Sequence, residues 1–430
     1  MNEKTLQRHR ETKGDNAMAD RLFSGLRALD LTDEKGFICG KILGALGIEV
    51  IKVEKPGGDA ARWMPPFLGN TPDPEKSIYW MAYNTDKKAI TLNMASNAGQ
   101  ELFKKLVKGV DFVLESFVPG EMEQLGIGYE DLKKINPGII LTSITPFGQK
   151  GPRAGYKGSE LIVSAMSGVM STNGDPDRAP LREGPDSITF ESNAAAAFGT
   201  LTAHYYRERT GEGQQVDVSM QEVAAKRAST NIVVWEFDRR LIKRNGAWRT
   251  FGARSTRWIW QCRDGYVFWS YMGGKFGAPA NRALSQWIDE DGLENPLKEV
   301  SDWDALDMAA ISQERLSLHL RAIAAFFMNH TKEEIAEEGL RRGINACVVN
   351  NPADVLRITQ LKARDYWTAL ETPGSDITLS YPRYFFLSNV TKNDITRHAP
   401  CIGQDNGNIY GKELGLSNYE MTSLKDAGVI

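Results

Sequence analysis

The feature that most constrains the fold is a strand, helix, strand pattern that recurs along the first part of the chain. In LRALDLTDEKGFICGKILGALGIEVIKVEKPGGD, residues 26–31 predict a buried strand, 36–46 a helix, and 48–53 a second buried strand that ends at a glycine-rich turn. A helix followed by a strand recurs in ELFKKLVKGVDFVLESF and in LKKINPGIILTSITPFG. This alternation predicts an α/β fold with a parallel sheet flanked by helices.

The alternation breaks near residue 230, in WEFDRRLIKRNGAWRTFGARSTRWIWQCRDGYVFWSYMGG. This segment is dense in aromatic residues, arginine and short strand-like runs, and 430 residues are long for one ordinary core. We therefore expect a second, smaller domain in the middle of the chain. Five of the ten tryptophans lie here: Trp235, Trp248, Trp258, Trp260 and Trp269. They fit an aromatic substrate or a subunit interface as well as a small aromatic core.

The charge balance excludes broad classes of partner. Lys and Arg number 52 against 55 Asp and Glu, for a formal net charge of -3. We expect no general attraction to nucleic acid or to a membrane surface, and no run has the roughly eighteen apolar residues of a membrane-spanning helix. The N-terminal stretch MNEKTLQRHRETKGDNAMAD lacks the apolar core of a signal peptide. Four widely spaced cysteines without a CxxC pair favour a reducing, cytoplasmic location.

Common catalytic and nucleotide-binding motifs are missing from the sequence. It contains no G-x-G-x-x-G after a strand, no G-x-x-x-x-G-K-[ST] and no G-x-S-x-G. The five histidines are scattered, without a clear metal-ligand spacing. Dehydrogenase, P-loop, serine hydrolase and metal-site hypotheses therefore lose their main support.

Several separate strings nevertheless resemble one known family, in the order in which that family has them. They include LGALGIEVIKVEKPGGD, YNTDKKAITLNM, MSGVMSTNGDPDRAP, RERTGEGQQVDVSMQEV and APCIGQDNGNIYGKELGLSNYE. From residue 23 to the C-terminus, the chain resembles the class III CoA-transferases, the family of formyl-CoA transferase and carnitine CoA-transferase.

The resemblance implies both a fold and a chemistry. It implies a Rossmann-like large domain built from both chain ends, a smaller central domain and an interlocked dimer. On this sequence the parts become an N-terminal extension at 1–22, the large domain at 23–228 and 341–430, and the small domain at 229–340. Family members move CoA from an acyl-CoA to a carboxylate through an aspartate, which forms a mixed anhydride and then an enzyme thioester.

In this chain a threonine takes the place of that aspartate. Counting from GDPDRAP on one side and from RERTG on the other leads to Thr189 without a gap. The Thr189 side chain has no acyl carbon for the CoA sulfur to join, so the covalent route is lost. Asp186 lies three residues earlier and Glu191 two residues later. Either would need a slip of the loop to act, and otherwise both are solvated acids near a helix N-terminus.

The resemblance also includes the α-methylacyl-CoA racemases, which use a histidine together with the same aspartate. The corresponding string here is KGSELI, with Ser159 at the histidine position and Glu160 after it. Because the imidazole base is missing, we do not expect racemisation.

The positions that the resemblance assigns to coenzyme A are only partly favourable. Lysine pairs with phosphate and phenylalanine covers an adenine face, which suits Lys55, Lys157 and Phe117, with Ser116 beside them. Gln124 replaces an arginine often found there, which removes a charge from the diphosphate site. Lys55 also fits a solvated turn, and Phe117 fits a core position. We expect CoA as a substrate, held weakly or not at all by this chain, with no covalent cofactor and no metal.

A family member without its nucleophile makes sense beside one that has it. The resemblance therefore implies a non-catalytic subunit of a heteromeric transferase, interlocked with a paralogous catalytic subunit and acting on an acyl-CoA such as succinyl-CoA. Two alternatives stay open. One is a self-sufficient homodimer that uses Asp186 or Glu191, and the other is a non-enzymatic CoA-binding or scaffold protein.

Overall fold

The computed structural model describes residues 21–372, 377–383, 385–391 and 394–430. The predicted N-terminal extension therefore lies outside the described residues except for its last two. In the described part of the chain, no helix is both long and apolar enough to cross a membrane.

The chain forms two compact units, each made of separate segments. The first contains the described residues up to Met170, then Arg182–Arg239 and Gln360–Ile430. The second contains Ser171–Leu181 and Arg240–Thr359. The boundaries of these two units differ from the domain boundaries expected from the sequence.

One cause of the different division is the short segment 171–181, which joins the second unit. The guanidinium of Arg244 donates to the carbonyl of Asp175 at 2.9 Å and also to the carbonyl of Arg178. Hydrogen bonds of this kind between distant parts of the chain have no local signature in the sequence.

The first unit is built on a parallel sheet in the order β3-β2-β1-β4-β5-β6. Its strands are β1 (Arg27–Asp30), β2 (Glu49–Glu54), β3 (Lys87–Thr91), β4 (Phe112–Glu115), β5 (Ile140–Thr145) and β6 (Gln215–Ser219). Most residues of these strands are buried, as expected for a sheet that is covered on both faces. The predicted α/β class is confirmed.

Helices connect these strands. Up to residue 239 they are α1 (Phe37–Ala45), α2 (Ile78–Tyr83), α3 (Asn97–Val107), α4 (Glu121–Gln124), α5 (Tyr129–Ile135), α6 (Glu160–Met166), α7 (Ser187–Thr210), α8 (Met220–Arg227) and α9 (Ser229–Asp238). Short 3₁₀ helices occur at Ala60–Trp63, Leu68–Asn70 and Val169–Thr172.

Alternate strand residues pack on opposite faces of this sheet. Leu29 and Val113 belong to one buried cluster, which includes residues of α3 and Val429 near the C-terminus. Ala28 and Phe112 belong to a second buried cluster, which includes residues of α1 and α7. The end of the chain therefore completes a core that begins with β1.

The outer edge of β3 is closed by the string GQDN. The backbone N–H groups of Ala89 and Thr91 donate to Asp405 Oδ2 and Asn406 Oδ1, both at 2.9 Å. The Asp405 N–H returns a bond to the Ala89 carbonyl at 2.8 Å. Polar side chains thus satisfy the ladder groups that an edge strand would otherwise expose.

The second unit contains an antiparallel sheet in the order β11-β10-β9 and a separate hairpin of β7 and β8. Its strands are β7 (Trp248–Phe251), β8 (Arg254–Arg257), β9 (Ile259–Cys262), β10 (Gly265–Phe268) and β11 (Cys347–Val349). Its helices are α10 (Gly274–Glu290), α11 (Gln313–Met328), α12 (Lys332–Arg342), α13 (Pro352–Val355) and a 3₁₀ helix at Pro296–Glu299.

The remaining elements follow the second unit along the chain. They are α14 (Thr359–Ala363), an antiparallel hairpin of β12 (Trp367–Glu371) and β13 (Thr378–Pro382), a π-helical turn (Gly407–Glu413) and α15 (Asn418–Asp426).

The tryptophans of the middle segment divide between core and surface. Trp260 and Trp269 are each 1% exposed, and the Trp260 indole N–H donates to the Trp269 carbonyl at 2.9 Å. Trp235 and Trp248 are 42% and 39% exposed. A small aromatic core therefore explains one pair, whereas the other pair lies at the surface.

Candidate functional site

The sheet of the first unit changes its direction of growth between β1 and β4, which are spatial neighbours but not consecutive strands. In open α/β sheets, ligands bind outside the carboxyl ends of the strands at such a point. The loops after these two strands meet here. Ser116 Oγ donates to Asp33 Oδ1 at 2.8 Å and accepts from the Asp33 N–H at 2.9 Å.

The first turn of α7 is fastened to the loop after β1. Asn193 Nδ2 donates to the carbonyls of Lys35 and Thr189, both at 2.7 Å, and Asn193 Oδ1 accepts from the Cys39 N–H at 2.8 Å. Thr189 itself is 6% exposed. The structure therefore places the predicted nucleophile position in the first unit, next to the loop that leaves β1.

The N-terminus of α7 is capped by a side chain from another helix. Asp186 occupies the N-cap position, but its own carboxylate makes no capping bond. Instead, Glu160 at the start of α6 accepts the N–H of Asp186 at 3.0 Å and the N–H of Ile188 at 2.8 Å. A carboxylate at this end also interacts favourably with the helix dipole.

Asp186 is held in a strained local conformation and by a specific partner. Its φ is 61°, a left-handed value that few residues other than glycine adopt. Its Oδ2 accepts the hydroxyl of Tyr83 at 2.9 Å. Burial and the charge of Asp186 together raise the pKa of both Tyr79 and Tyr83, so both phenols stay protonated. The Asp186 carboxylate is therefore already engaged.

Glu191 lies on a different face of α7 from Thr189. Residues two positions apart in an α-helix differ by about 200° around the helix axis. The Glu191 side chain is 40% exposed, and its Oε1 lies 3.4 Å from Arg227 Nε. Arg227 also pairs with Glu183. Glu191 thus belongs to a surface ion-pair group.

Three of the positions assigned to CoA lie at one end of the sheet. Lys55 directly follows β2, and Ser116 and Phe117 directly follow β4, with β1 between these two strands. Lys55 is exposed, whereas Phe117 is partly buried against the apolar cluster that contains Leu29. The Phe117 N–H donates to Glu115 Oε2 at 2.7 Å.

The other two positions are Gln124, the last residue of α4, and Lys157, in the loop before α6. Both are exposed. Among the described residues, neither these two side chains nor that of Lys55 makes a hydrogen bond or an ion pair. The described residues of the chain contain no cluster of three or more His, Cys, Asp or Glu side chains with metal-binding geometry.

The sequence did not indicate several residues of this region. Glu115, at the end of β4, is buried, and this burial raises its pKa to about 7. Tyr83 and Glu160 contact the segment before Thr189 from positions far away in the chain. Of these three residues, the sequence pattern pointed only to Glu160, as the neighbour of Ser159. No local signal in the sequence connects these residues.

Comparison with known proteins identifies the family. The model of CoA-transferase family III matches residues 23–406. The chain belongs to CoA-transferase family III. Succinyl-CoA:(R)-benzylsuccinate CoA-transferase subunit BbsE of Thauera aromatica is 32% identical over 95% of this chain and 98% of that relative.

Other family III proteins are similar along nearly their whole length. Formyl-CoA:oxalate CoA-transferase of Streptomyces coelicolor is 28% identical over 96% of this chain and 100% of that protein. The crystal structure of a CaiB/BaiF family protein from Brucella suis superposes with a TM-score of 0.80 at 25% identity, covering 91% of this chain and 99% of that one. The family resemblance predicted from the sequence is confirmed.

Proposed function

We propose that this family III chain is the non-catalytic subunit of a heteromeric CoA-transferase. The enzyme would move CoA from an acyl-CoA, such as succinyl-CoA, to a carboxylic acid in the cytoplasm. A paralogous subunit would supply the nucleophilic aspartate and interlock with this chain. In the proposed subunit, a large domain formed by both chain ends flanks a smaller central domain.

The observation that supports this proposal most directly is the residue at position 189. Thr189 lies in the first turn of α7, beside the loop after β1, and it has no carboxyl group. The two nearby acids have other roles in the structure. Asp186 accepts the Tyr83 hydroxyl, and Glu191 lies near Arg227 on another face of α7. A self-sufficient homodimer would require one of them to leave its partner.

An apolar face of α7 that is exposed in the described part of the chain supports a subunit interface. Phe198, Tyr205 and Tyr206 are 74%, 67% and 48% exposed, and their spacing of seven and eight residues puts them along one side of the helix. Ala196 and Ala203 are buried on the side that packs against the sheet. Large exposed apolar surfaces of this kind mark interaction sites.

The similar proteins suggest which reaction this heteromer catalyses. BbsE is named as one subunit of a transferase that uses succinyl-CoA and (R)-benzylsuccinate. We propose the same type of enzyme here, with an aromatic acid as acceptor. Lys55, Ser116, Phe117, Gln124 and Lys157 would surround whatever part of CoA this chain contacts.

The test is an activity measurement on the chain with and without its paralogue. Purified alone, the chain should transfer no CoA from succinyl-CoA to benzylsuccinate or to other carboxylic acids. Together with a paralogue that has aspartate at the corresponding position, it should support turnover that ends when that aspartate becomes alanine. Mass spectrometry after acyl-CoA and hydroxylamine treatment should find Asp186 and Glu191 unmodified.

Two outcomes would contradict the proposal. Labelling of Asp186 or Glu191, with loss of turnover when the labelled residue is replaced, would establish a self-sufficient enzyme. If the two chains form a stable complex but the paralogue alone transfers CoA equally well, this chain is a scaffold and not a required subunit.

A further inference from the structure

The first unit contains a cavity of about 750 Å³. It is bounded by parts of α1 and α2, by Phe190 of α7, by α14 and by β13 with the residues that follow it. A volume of this size lies within the range of pockets that bind small molecules.

Most of the wall is apolar and aromatic. Six aromatic side chains line the cavity: Tyr83, Phe190, Tyr366, Tyr381, Phe385 and Phe386. The ring centroids of Phe190 and Phe385 are 6.3 Å apart, so α7 and the segment after β13 approach each other closely at this wall. Such a surface favours a ligand with a hydrophobic body.

A partly buried cationic group, Lys41, interrupts the apolar wall. Lys41 of α1 lines the cavity, and its ammonium group donates to the carbonyl of Ala82, another lining residue, at 2.6 Å. An ammonium group has three N–H donors, and within the described residues Lys41 makes no other hydrogen bond and no ion pair. Burial lowers the pKa of Lys41 to about 8, so the group still carries a charge at neutral pH.

No described residue of the wall compensates this charge. The described lining contains no Asp or Glu, although it does include a second cation, the exposed Arg364. The carboxylate that acts on Lys41 from outside the lining is Asp86. Its Oδ1 accepts the N–H groups of Thr396 and Arg397, both at 2.9 Å. A partly buried cation with no ion-pair contact among the described residues is costly unless a ligand supplies the negative charge.

We infer that this cavity binds an apolar monocarboxylate, an arylalkanoate or a medium-chain fatty acid, with its carboxylate on Lys41 and its hydrophobic body against the aromatic wall. The inference rests on the cavity and does not depend on the proposed transfer reaction. Both ligand types share one chemistry, since each joins a single anionic end to an apolar body.

Calorimetric titration of the full-length chain, with its partner if the two co-purify, tests this inference. The probes are 4-phenylbutanoate, octanoate and the uncharged 4-phenylbutanamide. We expect at least one of the two acids to bind, and we expect 4-phenylbutanoate to bind at least tenfold more tightly than its amide. The better of the two acids identifies the ligand type.

Variants separate the charge from the apolar wall. Lys41→Met keeps an apolar side chain of similar length and should weaken binding of the preferred acid at least tenfold, without weakening the amide. Lys108→Met removes an exposed lysine that does not line the cavity, and it should leave binding unchanged. Phe385→Ala should weaken acid and amide alike.

The comparison of acid with amide on the unmodified protein needs no variant, so it stands even if Lys41→Met does not fold. Failure of the folded protein to bind either acid at millimolar concentration would overturn the inference, including the case in which a segment of a partner chain fills the cavity. Equal affinity for acid and amide, or acid binding unaffected in a folded Lys41→Met variant, would also overturn it.

Discussion

In the proposed role of this chain, the side chain at position 189 determines whether a covalent intermediate can form. A thioester link to CoA requires an acyl carbon, which aspartate has and threonine lacks. Thr189 is also buried, and the Asn193 amide holds its backbone carbonyl. Thr189 is thus part of the packed first turn of α7.

We expect that Thr189→Asp will not restore a covalent intermediate. Gln124, at the position that the resemblance assigns to the diphosphate, carries no positive charge, and Lys55 and Lys157 are exposed side chains without fixed partners in the described structure. A weak hold on CoA would leave the thioester too far from the new carboxylate. The measurement is the mass of the variant chain after exposure to succinyl-CoA, in complex with an inactivated partner.

Thr189→Asn is the matched control, because asparagine is close in shape to aspartate but has no carboxylate. An adduct on Thr189→Asp that hydroxylamine removes, and that is missing from Thr189→Asn, would mean that the CoA site is intact and that only the nucleophile was lost.

Glu115 gives a prediction about pH at the same scale. Burial raises its pKa from 4.5 to about 7, so the folded chain holds this proton across a range in which the unfolded chain has lost it. This contribution to stability is fully present below pH 4.5 and is lost as pH rises through about 7. Its full size is up to about 3 kcal/mol.

Glu115→Gln removes the titration and keeps an oxygen to accept the Phe117 N–H. Urea unfolding at pH 5 and pH 8 should show that the wild-type chain loses more stability than the variant over this interval, by about 1 to 3 kcal/mol. Parallel pH profiles for the two chains would show that Glu115 ionises normally.

At the scale of elements, β3 is protected by a segment more than 300 residues later in the chain. The Ala89 N–H is buried and has Asp405 Oδ2 as its acceptor, and Arg397 Nη2 lies 3.1 Å from the same oxygen. The acid therefore closes the strand edge and is itself neutralised.

Asp405→Ala should lower the free energy of unfolding by about 1 to 3 kcal/mol, because it leaves a buried N–H without an acceptor. Asp405→Asn retains an acceptor oxygen and should cost less. The check is urea denaturation of both variants at neutral pH. Equal losses would show that the charge pair with Arg397, rather than the strand edge, accounts for the effect.

The local elements were predictable, whereas the links between them were not. Periodicity placed strands at 26–31 and 48–53 and a helix at 36–46, and β1, β2 and α1 occupy these positions. Buried runs with a fixed period are local properties, which the sequence shows directly. The Glu160 cap of α7 and the Asp405 contact with β3 join residues far apart in the chain, so no local period indicates them.

At the scale of the whole molecule, the isolated chain exposes apolar side chains beyond those of α7. Val233 and Phe237 of α9 are 63% and 90% exposed, and no residue of α9 is buried. A ten-residue helix without a buried face gains little from packing within its own chain. We therefore expect α7 and α9 to pack against the paralogous subunit.

Co-expression with a paralogue that has aspartate at the position of Thr189 should give a stable 1:1 complex. The chain expressed alone should be poorly soluble, because its apolar surface stays exposed.

Phe198→Ser combined with Phe237→Ser should lower the yield of complex at least tenfold, since both side chains are largely exposed in the single chain and contribute little to its own core. Tyr419→Ser is the matched control, because Tyr419 is 83% exposed and belongs to a different helix, α15. Size-exclusion chromatography with light scattering measures the outcome. A soluble homodimer that ignores the paralogue would contradict the heteromeric assembly, and a complex unaffected by the double substitution would place the interface elsewhere.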